Sequence, residues 1–137
     1  MNIELLLCTE TITARERDPL LQAGRRMVRH NISALPVFRG GELEGILTER
    51  DLAHALIAHA DPAVALVRDH MTRQPVTVDV DTDSATAARR MMSVGVRHLP
   101  VVRDGRLLGM ISARDLLLLE AWSPLAPSDR VPEWVSP

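Results

Sequence analysis

The sequence predicts an α/β (in detail α+β) fold of two β-α-β-β-α repeats related by a pseudo-twofold axis. First, residues 20–52 align without a gap with residues 84–116, at a constant offset of 64 and with 14 identities in 33 positions. Second, each copy alternates helical periodicity with short apolar runs that flank glycine turns. Third, a unit of this size cannot bury its own sheet, so two copies are expected to pack together with two clefts between them.

The composition is that of an ordinary globular protein. Of the 137 residues, 46% are apolar and 25% are charged, which is enough for one domain or for two half-domains that share a core. Aromatic residues make up only 2%, so a base-stacking surface is not expected. The net charge of -2 gives no electrostatic reason to expect nucleic-acid binding.

The sequence predicts a cytoplasmic protein without a membrane segment. The start has an acidic residue and only a short apolar run, unlike a secretory signal. No run approaches the roughly 18 apolar residues of a spanning helix. The single cysteine, Cys8, excludes an internal disulfide, fits a reducing compartment and is interpreted as a small apolar residue.

The first repeat is assigned to residues 1–62. Asp18-Pro19 predicts a helix start with Asp18 as the cap, and Asn31 a left-handed helix end. Gly40-Gly41 is typical of a tight hairpin turn. The predicted elements are a β-prone run at 11–13, a helix over 20–29, strands over 34–38 and 43–47, and a helix over 48–60 in which Leu52, Ala53, Leu56 and Ile57 face inward.

The second repeat is assigned to residues 63–121. Thr82 or Asp83 caps its first helix, Gly95 ends that helix, and Asp104-Gly105 predicts a type I′ turn. The predicted elements are an amphipathic connector over 64–71, strands over 75–78, 98–102 and 107–111, and helices over 84–93 and 112–121, with Ala88, Met91 and Met92 inward. The tail 122–137 holds four prolines, so we expect it to be irregular and at the surface.

Each repeat closes on the same motif, a glycine, two apolar residues, a hydroxyl residue and an acid three positions later. The acids are Asp51 and Asp115, and Thr48 and Ser112 are the hydroxyl residues. Both acids are predicted near a helix N-terminus at the end of a strand, where α/β folds collect ligands. A single copy would favour a capping box instead. Two copies favour a ligand role, and both roles can coexist.

The tandem units resemble a pair of cystathionine-β-synthase (CBS) domains, the Bateman module. The resemblance rests on the Leu-Pro-Val strand, the glycine-bearing turn and the Gly-h-h-Thr/Ser-x-x-Asp ending (h is apolar) in both copies, and covers about residues 3–121. It implies a stand-alone, non-catalytic regulatory module that binds AMP, ADP, ATP, S-adenosylmethionine or NAD between the repeats. It also implies a homodimer, an unidentified regulated protein, and no cofactor beyond the regulatory nucleotide.

The resemblance also assigns site residues. Asp51 and Asp115 would each accept hydrogen bonds from the ribose hydroxyls, since a carboxylate has two acceptor oxygens. The phosphate region would be formed by Thr48, Ser112, Arg50, Arg114, Arg97 and His98. The adenine slot would be formed by Ile12, Thr13, Val76, Thr77, Val78, Ile46 and Met110.

The two clefts are expected to differ in charge. The first repeat has Ser33-Ala34 where the second has Arg97-His98. The cleft that draws on Arg97 and Asp115 is therefore expected to bind phosphate better. His98 itself could equally serve the pocket or the packing. The arginines at 25, 26, 89 and 90 are interpreted as a solvated helix face.

The sequence supports no catalytic or metal site. Neither Gly-x-Ser-x-Gly nor His-Glu-x-x-His occurs, Cys8 has no paired base, and the histidines lack metal-ligand spacing. Two other functions are considered: a ligand-independent dimerisation or adaptor module that uses the tail as its contact, and a small nucleotide enzyme. The apolar helix residues that could supply a dimer surface are Leu52, Leu56, Leu116, Leu117 and Met92.

Overall fold

The computed structural model describes residues 2–7 and 11–121. The sequence interpretations of Cys8 and of the tail 122–137 lie outside them. The elements in chain order are a 3-10 helix (Ile3–Leu6), β1 (Ala14–Arg15), α1 (Leu20–His30), β2 (Ala34–Arg39), β3 (Glu42–Thr48), α2 (Glu49–Ile57), a second 3-10 helix (Val67–Asp69), β4 (Thr72–Arg73), β5 (Val78–Asp79), α3 (Ser84–Val94), β6 (His98–Arg103), β7 (Arg106–Ser112) and α4 (Ala113–Ala121).

The sequence repeat is also a repeat in strand pairing, which confirms the α/β fold with two small mixed sheets. The first sheet has the order β1-β2-β3-β4 and the second the order β5-β6-β7. In each, a parallel pair precedes an antiparallel hairpin. Pro36 lies opposite Ile46 and Pro100 opposite Met110, and the register shifts at the same place in both hairpins.

The predicted hairpin turns, the left-handed helix ends and the cap of α3 are confirmed by the structure. Both residues of Gly40-Gly41 and of Asp104-Gly105 have positive φ, as a type I′ hairpin turn requires. Asn31 (φ 52°) and Gly95 (φ 80°) end α1 and α3 in the left-handed conformation. Asp83 caps α3, where its carboxylate accepts a first-turn N–H at 2.8 Å. These local signals fix where the helices and hairpins begin and end.

Three local predictions are wrong. Residues 11–13 are not a strand, because pairing with β2 begins only at Ala14. The strand predicted over 75–78 likewise begins at Val78. Asp18 does not cap α1, since the cap position is Pro19. The Asp18 carboxylate instead accepts the Arg15 N–H at 2.9 Å and an Arg26 N–H at 2.8 Å, so it closes the turn before the helix.

The predicted inward faces of α2 and α3 are partly wrong. Ala55 and Met91 are buried, but Ala53 is exposed, and Leu56, Ile57 and Met92 are 64%, 77% and 83% exposed. These helices carry apolar residues around much of their circumference, so periodicity does not select the buried face. The exposed apolar residues of the four helices, here called the exposed helix residues, are Leu21, Val28, Leu56, Ile57, Met92, Val94, Leu117 and Leu118.

The two cores exchange segments across the sequence boundary at residue 62. Val67 and Met71 pack in the core of the first repeat, whereas Ile3 packs in the core of the second. The isolated bridges Asn2 to Asp83 and Pro19 to Leu66 are reciprocal under the offset of 64, as a twofold relation requires. The boundary between residues 62 and 63 therefore stays a prediction. The packing does not follow it, because residues from each side of the boundary lie in the core of the other repeat.

In each hairpin, a glycine leaves room for a segment that packs closely against the strand. A Cβ on Gly45 would lie 2.7 Å from both the Met71 sulfur and the Thr72 carbonyl oxygen. A Cβ on Gly109 would lie 2.9 Å from a terminal carbon of Leu7. Since Leu7 and Met71 are 64 residues apart, the two glycines serve the same close approach.

Candidate functional site

The carboxylate of Asp51 lines a cavity of about 270 Å³ between the two repeats. Its walls come from the end of β3 and start of α2, the segment 72–76, and the segment 94–98 that links α3 to β6. This volume is near the lower limit of the ~300–1,000 Å³ range of small-molecule pockets. The predicted site residues brought together here are Ile46, Thr48, Arg50, Asp51, Val76, Arg97 and His98.

A capping box fixes the position of Asp51. The backbone N–H and the hydroxyl of Thr48 both donate to Asp51 Oδ2, at 2.8 and 3.0 Å, and the Asp51 N–H is 3.2 Å from Thr48 Oγ1. The capping interpretation is thus confirmed. Each bond to the carboxylate ends at Oδ2, and the described residues donate none to Oδ1. One oxygen therefore orients the side chain while the other can accept a hydrogen bond from a ligand hydroxyl.

Asp115 repeats this geometry in the second repeat. The Ser112 N–H donates to Asp115 Oδ2 at 2.9 Å, and the Asp115 N–H donates to Ser112 Oγ at 3.0 Å. The offset of 64 pairs Thr11 with Pro75 of the Asp51 cavity, and the Thr11 hydroxyl bonds the Leu108 carbonyl at 3.2 Å. The positions that correspond to Thr72 and Gln74 fall in 8–10, outside the described residues. The second cleft is therefore described only in part.

Arg97 lies in the cavity of Asp51, so its expected association with Asp115 is wrong. The reason is tertiary, because this cavity takes its acid, Asp51, from the first repeat and Arg97-His98 from the second. Arg50 lies in the same cavity and is exposed, as is Arg97. Two guanidinium groups from different repeats can therefore reach an anionic group there.

His98 joins the repeats and does not supply a cation. Its Nε2 lies 2.7 Å from the Ser33 hydroxyl. Burial lowers the pKa of His98 below its usual 6.5, and the neighbouring Arg97 charge acts in the same direction, against weaker opposite effects of Asp115 and Glu49. The imidazole is therefore neutral at pH 7. It serves both the cavity wall and the packing between repeats.

The residues predicted for the adenine slot divide between several locations. Ile46 and Val76 line the Asp51 cavity. The side chain of Val78 does not, because it is 1% exposed and packs in the core of the second repeat. Ile12, Thr13, Thr77 and Met110 lie outside the lining of this cavity. By the offset of 64, Ile12 and Met110 correspond to Val76 and Ile46 and belong to the second cleft.

The arginines at 25, 89 and 90 are exposed, as expected of a solvated helix face, and Arg26 is half-buried. Arg26 and Arg90 also make a structural contact each. An Arg90 N–H donates to the Thr77 carbonyl at 2.9 Å, and an Arg26 N–H donates to the Thr13 carbonyl at 3.0 Å. The two donor and acceptor pairs correspond under the offset of 64. In both repeats, therefore, the first helix is hydrogen-bonded to the segment that precedes it in the chain. Both arginines are among the identities of the two repeats, and that signal could have identified them. Arg90 thereby supports the segment with Pro75 and Val76 in the cavity wall.

A second, apolar groove adjoins the cavity. It has a volume of about 750 Å³ and runs between α3 and α4, where Ala88, Met92, Leu116 and Leu117 line it. The segment 95–97 lines both the groove and the Asp51 cavity. No local sequence pattern predicts this shared wall, because it depends on how α3, α4 and β6 meet.

Within residues 2–7 and 11–121, no three His, Cys, Asp or Glu side chains gather as metal ligands would. Over the same residues, every helix is too short or too polar to cross a bilayer.

The sequence matches the family model described as the CBS domain, over residues 4–58 and 67–121. It is 32% identical over 130 residues to the Bacillus subtilis protein YlbB, covering 93% of this chain and 84% of that one. It is 35% identical over 127 residues to an inosine-5'-monophosphate dehydrogenase of Korarchaeum cryptofilum, covering 92% of this chain but 25% of the enzyme. The chain spans between half and three fifths of the length of two further relatives.

Solved structures share the fold. The CBS domain pair of protein MJ0100, in complex with 5'-methylthioadenosine and S-adenosyl-L-methionine, superposes with a TM-score of 0.80 at 28% identity, covering 87% of this chain and 98% of that one. A signal-transduction protein with CBS domains from Burkholderia ambifaria gives a TM-score of 0.80 at 29% identity, with 88% and 90% covered.

Proposed function

The chain belongs to the CBS domain family, and from this premise we propose that it is a regulatory module that binds an adenosine-containing ligand. The ligand occupies the Asp51 cavity, and its presence changes how the protein packs against a partner. AMP, ADP, ATP, S-adenosylmethionine and NAD are the candidate ligands. The protein acts as a sensor and not as an enzyme.

The observation that carries the proposal is the free acceptor of Asp51 inside a cavity that both repeats build. Oδ1 accepts a ribose hydroxyl, while the capping box holds the carboxylate in place. Ile46 and Val76 offer apolar contact to the base, and Arg50 and Arg97 offer donors to a phosphate or carboxylate of the ligand. The adenosine derivatives bound to the MJ0100 pair support the same ligand class.

The shared wall supports signalling from the cavity to a surface. A ligand that orders the segment 95–97 acts at once on the apolar groove between α3 and α4. We propose that a second copy of the chain packs against this surface through the exposed helix residues. A homodimer then has two states, ligand-free and ligand-bound, that a regulated protein can distinguish.

The experiment is calorimetric titration of the wild type with AMP, ATP, S-adenosylmethionine and NAD, followed by Asp51→Glu. Glutamate is the usual acid of a capping box, so this variant keeps the cap but displaces the carboxylate by one methylene. We expect the affinity to fall roughly 10- to 100-fold, the effect of losing charge-assisted hydrogen bonds. Asp115→Glu is the matched control and should leave the Asp51 cavity unchanged.

Two results contradict the proposal. One is that none of the four compounds binds the wild type. The other is that Asp51→Glu binds as tightly as the wild type while its melting temperature is unchanged, since the site would then lie elsewhere.

A ligand-independent dimerisation or adaptor module is the second candidate. The exposed helix residues favour it, because a monomer gains nothing from exposing them. In that case dimerisation persists without nucleotide and in Asp51→Glu. Loss of a partner on deletion of residues 122–137, with binding retained in both aspartate variants, would identify the adaptor.

The contact between Ser33 and His98 does not make the cleft catalytic. A hydroxyl 2.7 Å from an imidazole is the spacing of a nucleophile and its base. However, none of the described residues hydrogen-bonds the other ring nitrogen, the orienting contact that such a pair uses. We therefore propose that the contact is structural, and turnover of a nucleotide by the purified protein would contradict this.

A further inference from the structure

We propose that Glu49 selects the ligand of the Asp51 cavity by charge, so that adenosine compounds with at most one phosphate bind better than the di- and triphosphates. The inference rests on the proposed function and deepens it. It assigns a specificity role to the first side chain of α2.

Glu49 belongs to the cavity wall but not to the repeated motif. It is the first residue of α2 and lines the cavity together with Arg50 and Asp51. The corresponding residue of the second repeat is Ala113. The strand, turn and helix therefore form without an acid at this position. An acid here is a property of one cleft and not a requirement of the fold.

The backbone holds Glu49 at the junction of the repeats. Its N–H donates to the Ser33 carbonyl at 3.0 Å, and the Ser33 hydroxyl contacts His98 of the other repeat. The charge of Glu49 also acts on the His98 imidazole. The Glu49 carboxylate thus lies within electrostatic reach of the region where Arg97 and His98 would meet a phosphate.

The charges that line the cavity balance before any ligand enters. The carboxylates of Glu49 and Asp51 are matched by the guanidinium groups of Arg50 and Arg97, and His98 is neutral at pH 7. One phosphate already adds negative charge to a balanced site. Each further phosphate adds more, in a cavity whose wall includes the Glu49 carboxylate and without another cation among the lining residues.

The size of the cavity acts in the same direction. About 270 Å³ suits a nucleoside or its monophosphate better than a triphosphate, so additional phosphates extend toward the mouth. Glu49 is one of the solvent-exposed residues of the cavity wall, together with Arg50 and Arg97. A polyphosphate chain that extends along the α2 side of the cavity toward solvent therefore passes the Glu49 carboxylate.

A purely structural role for Glu49 makes a different prediction. An acid in the first turn stabilises a helix through its dipole, wherever the ligand is. Replacing it would then lower the melting temperature and leave the relative affinities for AMP and ATP unchanged. The ratio of the two affinities therefore separates the roles, because a general loss of stability does not alter it.

The test compares dissociation constants for AMP, ADP and ATP in the wild type, Glu49→Gln and Glu42→Gln, with chelator present so that the phosphates carry their full charge. Glu42→Gln removes the same charge from the other end of β3, roughly 20 Å from Thr48 at about 3.3 Å per residue. We expect AMP to bind the wild type more tightly than ATP. Glu49→Gln should shift the ratio toward ATP by roughly 5- to 10-fold, and Glu42→Gln should leave it unchanged.

Three outcomes overturn the inference. The first is that ATP binds the wild type as tightly as AMP. The second is that Glu49→Gln leaves the ratio of the AMP and ATP dissociation constants unchanged. An equal shift in Glu42→Gln would reduce the effect to net charge. In each of these cases AMP still binds, so the proposed function stands. Absence of binding by every adenosine compound overturns both.

Discussion

The hydroxyl of Ser33 and the imidazole Nε2 of His98 lie 2.7 Å apart, in contact across the two repeats. This contact forms part of the wall of the Asp51 cavity. Since the two residues are 65 positions apart in the sequence, the contact exists only when both repeats are folded and docked. The stability of the two docked repeats therefore depends on the protonation of His98.

We predict that the protein loses stability in acid through His98. Burial lowers its folded-state pKa below the 6.5 of an unfolded chain, so between these two values the unfolded state binds more protons. The free energy of unfolding should be largest above pH 6.5, fall as the pH drops through this window, and stop falling on this account below the folded-state pKa. Urea unfolding at pH 7.5 and 5.5 measures the loss.

The variant His98→Gln should reduce this pH dependence, because glutamine does not titrate and can still contact Ser33. His30→Gln, which removes an exposed histidine, serves as the control. An acid loss of equal size in His98→Gln and in the wild type would refute the assignment.

Substitution of the three glycines that have side-chain neighbours should give three different results. Gly45→Ala should cost about 3 kcal/mol, because its Cβ would meet a backbone oxygen at 2.7 Å that cannot move aside. Gly109→Ala should cost about 1 kcal/mol, since its nearest neighbour is the flexible end of Leu7.

Gly24→Ala is the positive control for this series. Gly24 lies within α1, and its Cβ would make an ordinary contact of 3.5 Å with Leu52 of α2, so the variant should gain roughly 0.5–1 kcal/mol from reduced backbone freedom. Chemical denaturation measures all three variants. Equal costs for Gly45→Ala and Gly109→Ala would contradict the described approach of Met71 and Thr72.

Arg90 should act as a positioning residue for the Asp51 cavity. Its N–H holds the Thr77 carbonyl, and the segment just before Thr77 forms part of the cavity wall. Arg90→Ala should weaken ligand binding by roughly 5-fold, the effect of losing one hydrogen bond. In this variant, added ligand should also slow amide hydrogen exchange over residues 74–77 less than it does in the wild type.

Arg89→Ala is the matched control, because Arg89 lies on the same helix and, among the described residues, its side chain bonds the Thr86 side chain and not the segment before the helix. It should bind ligand like the wild type. If the two variants bind equally, the contact between Arg90 and Thr77 does not shape the site.

Met92→Glu should dissociate the proposed homodimer without unfolding the protomer. Met92 is 83% exposed, so a charge there costs little within one chain but is expensive in a dry interface. Light scattering coupled to size-exclusion chromatography should report a monomer for Met92→Glu. Val64→Glu, an equally drastic change at an exposed site outside the helices, should leave the dimer intact.

The sequence predicted those features that depend on neighbours in the chain. The positive φ of Asn31 and Gly95, the type I′ turn at Asp104-Gly105 and the capping box at Asp51 follow from the conformations that these residues prefer. The repeat at an offset of 64 predicted the two equivalent hairpins, because identical patterns of strand and turn give identical pairings.

Only the tertiary structure decided which segments meet. It placed Arg97 with Asp51, Met71 in the first core and Ile3 in the second, and it left Leu56 and Met92 at the surface. The physical reason is that burial and cleft formation depend on the docking of whole repeats. A local pattern states that a residue is apolar or charged, whereas the position of the other repeat determines what that residue contacts.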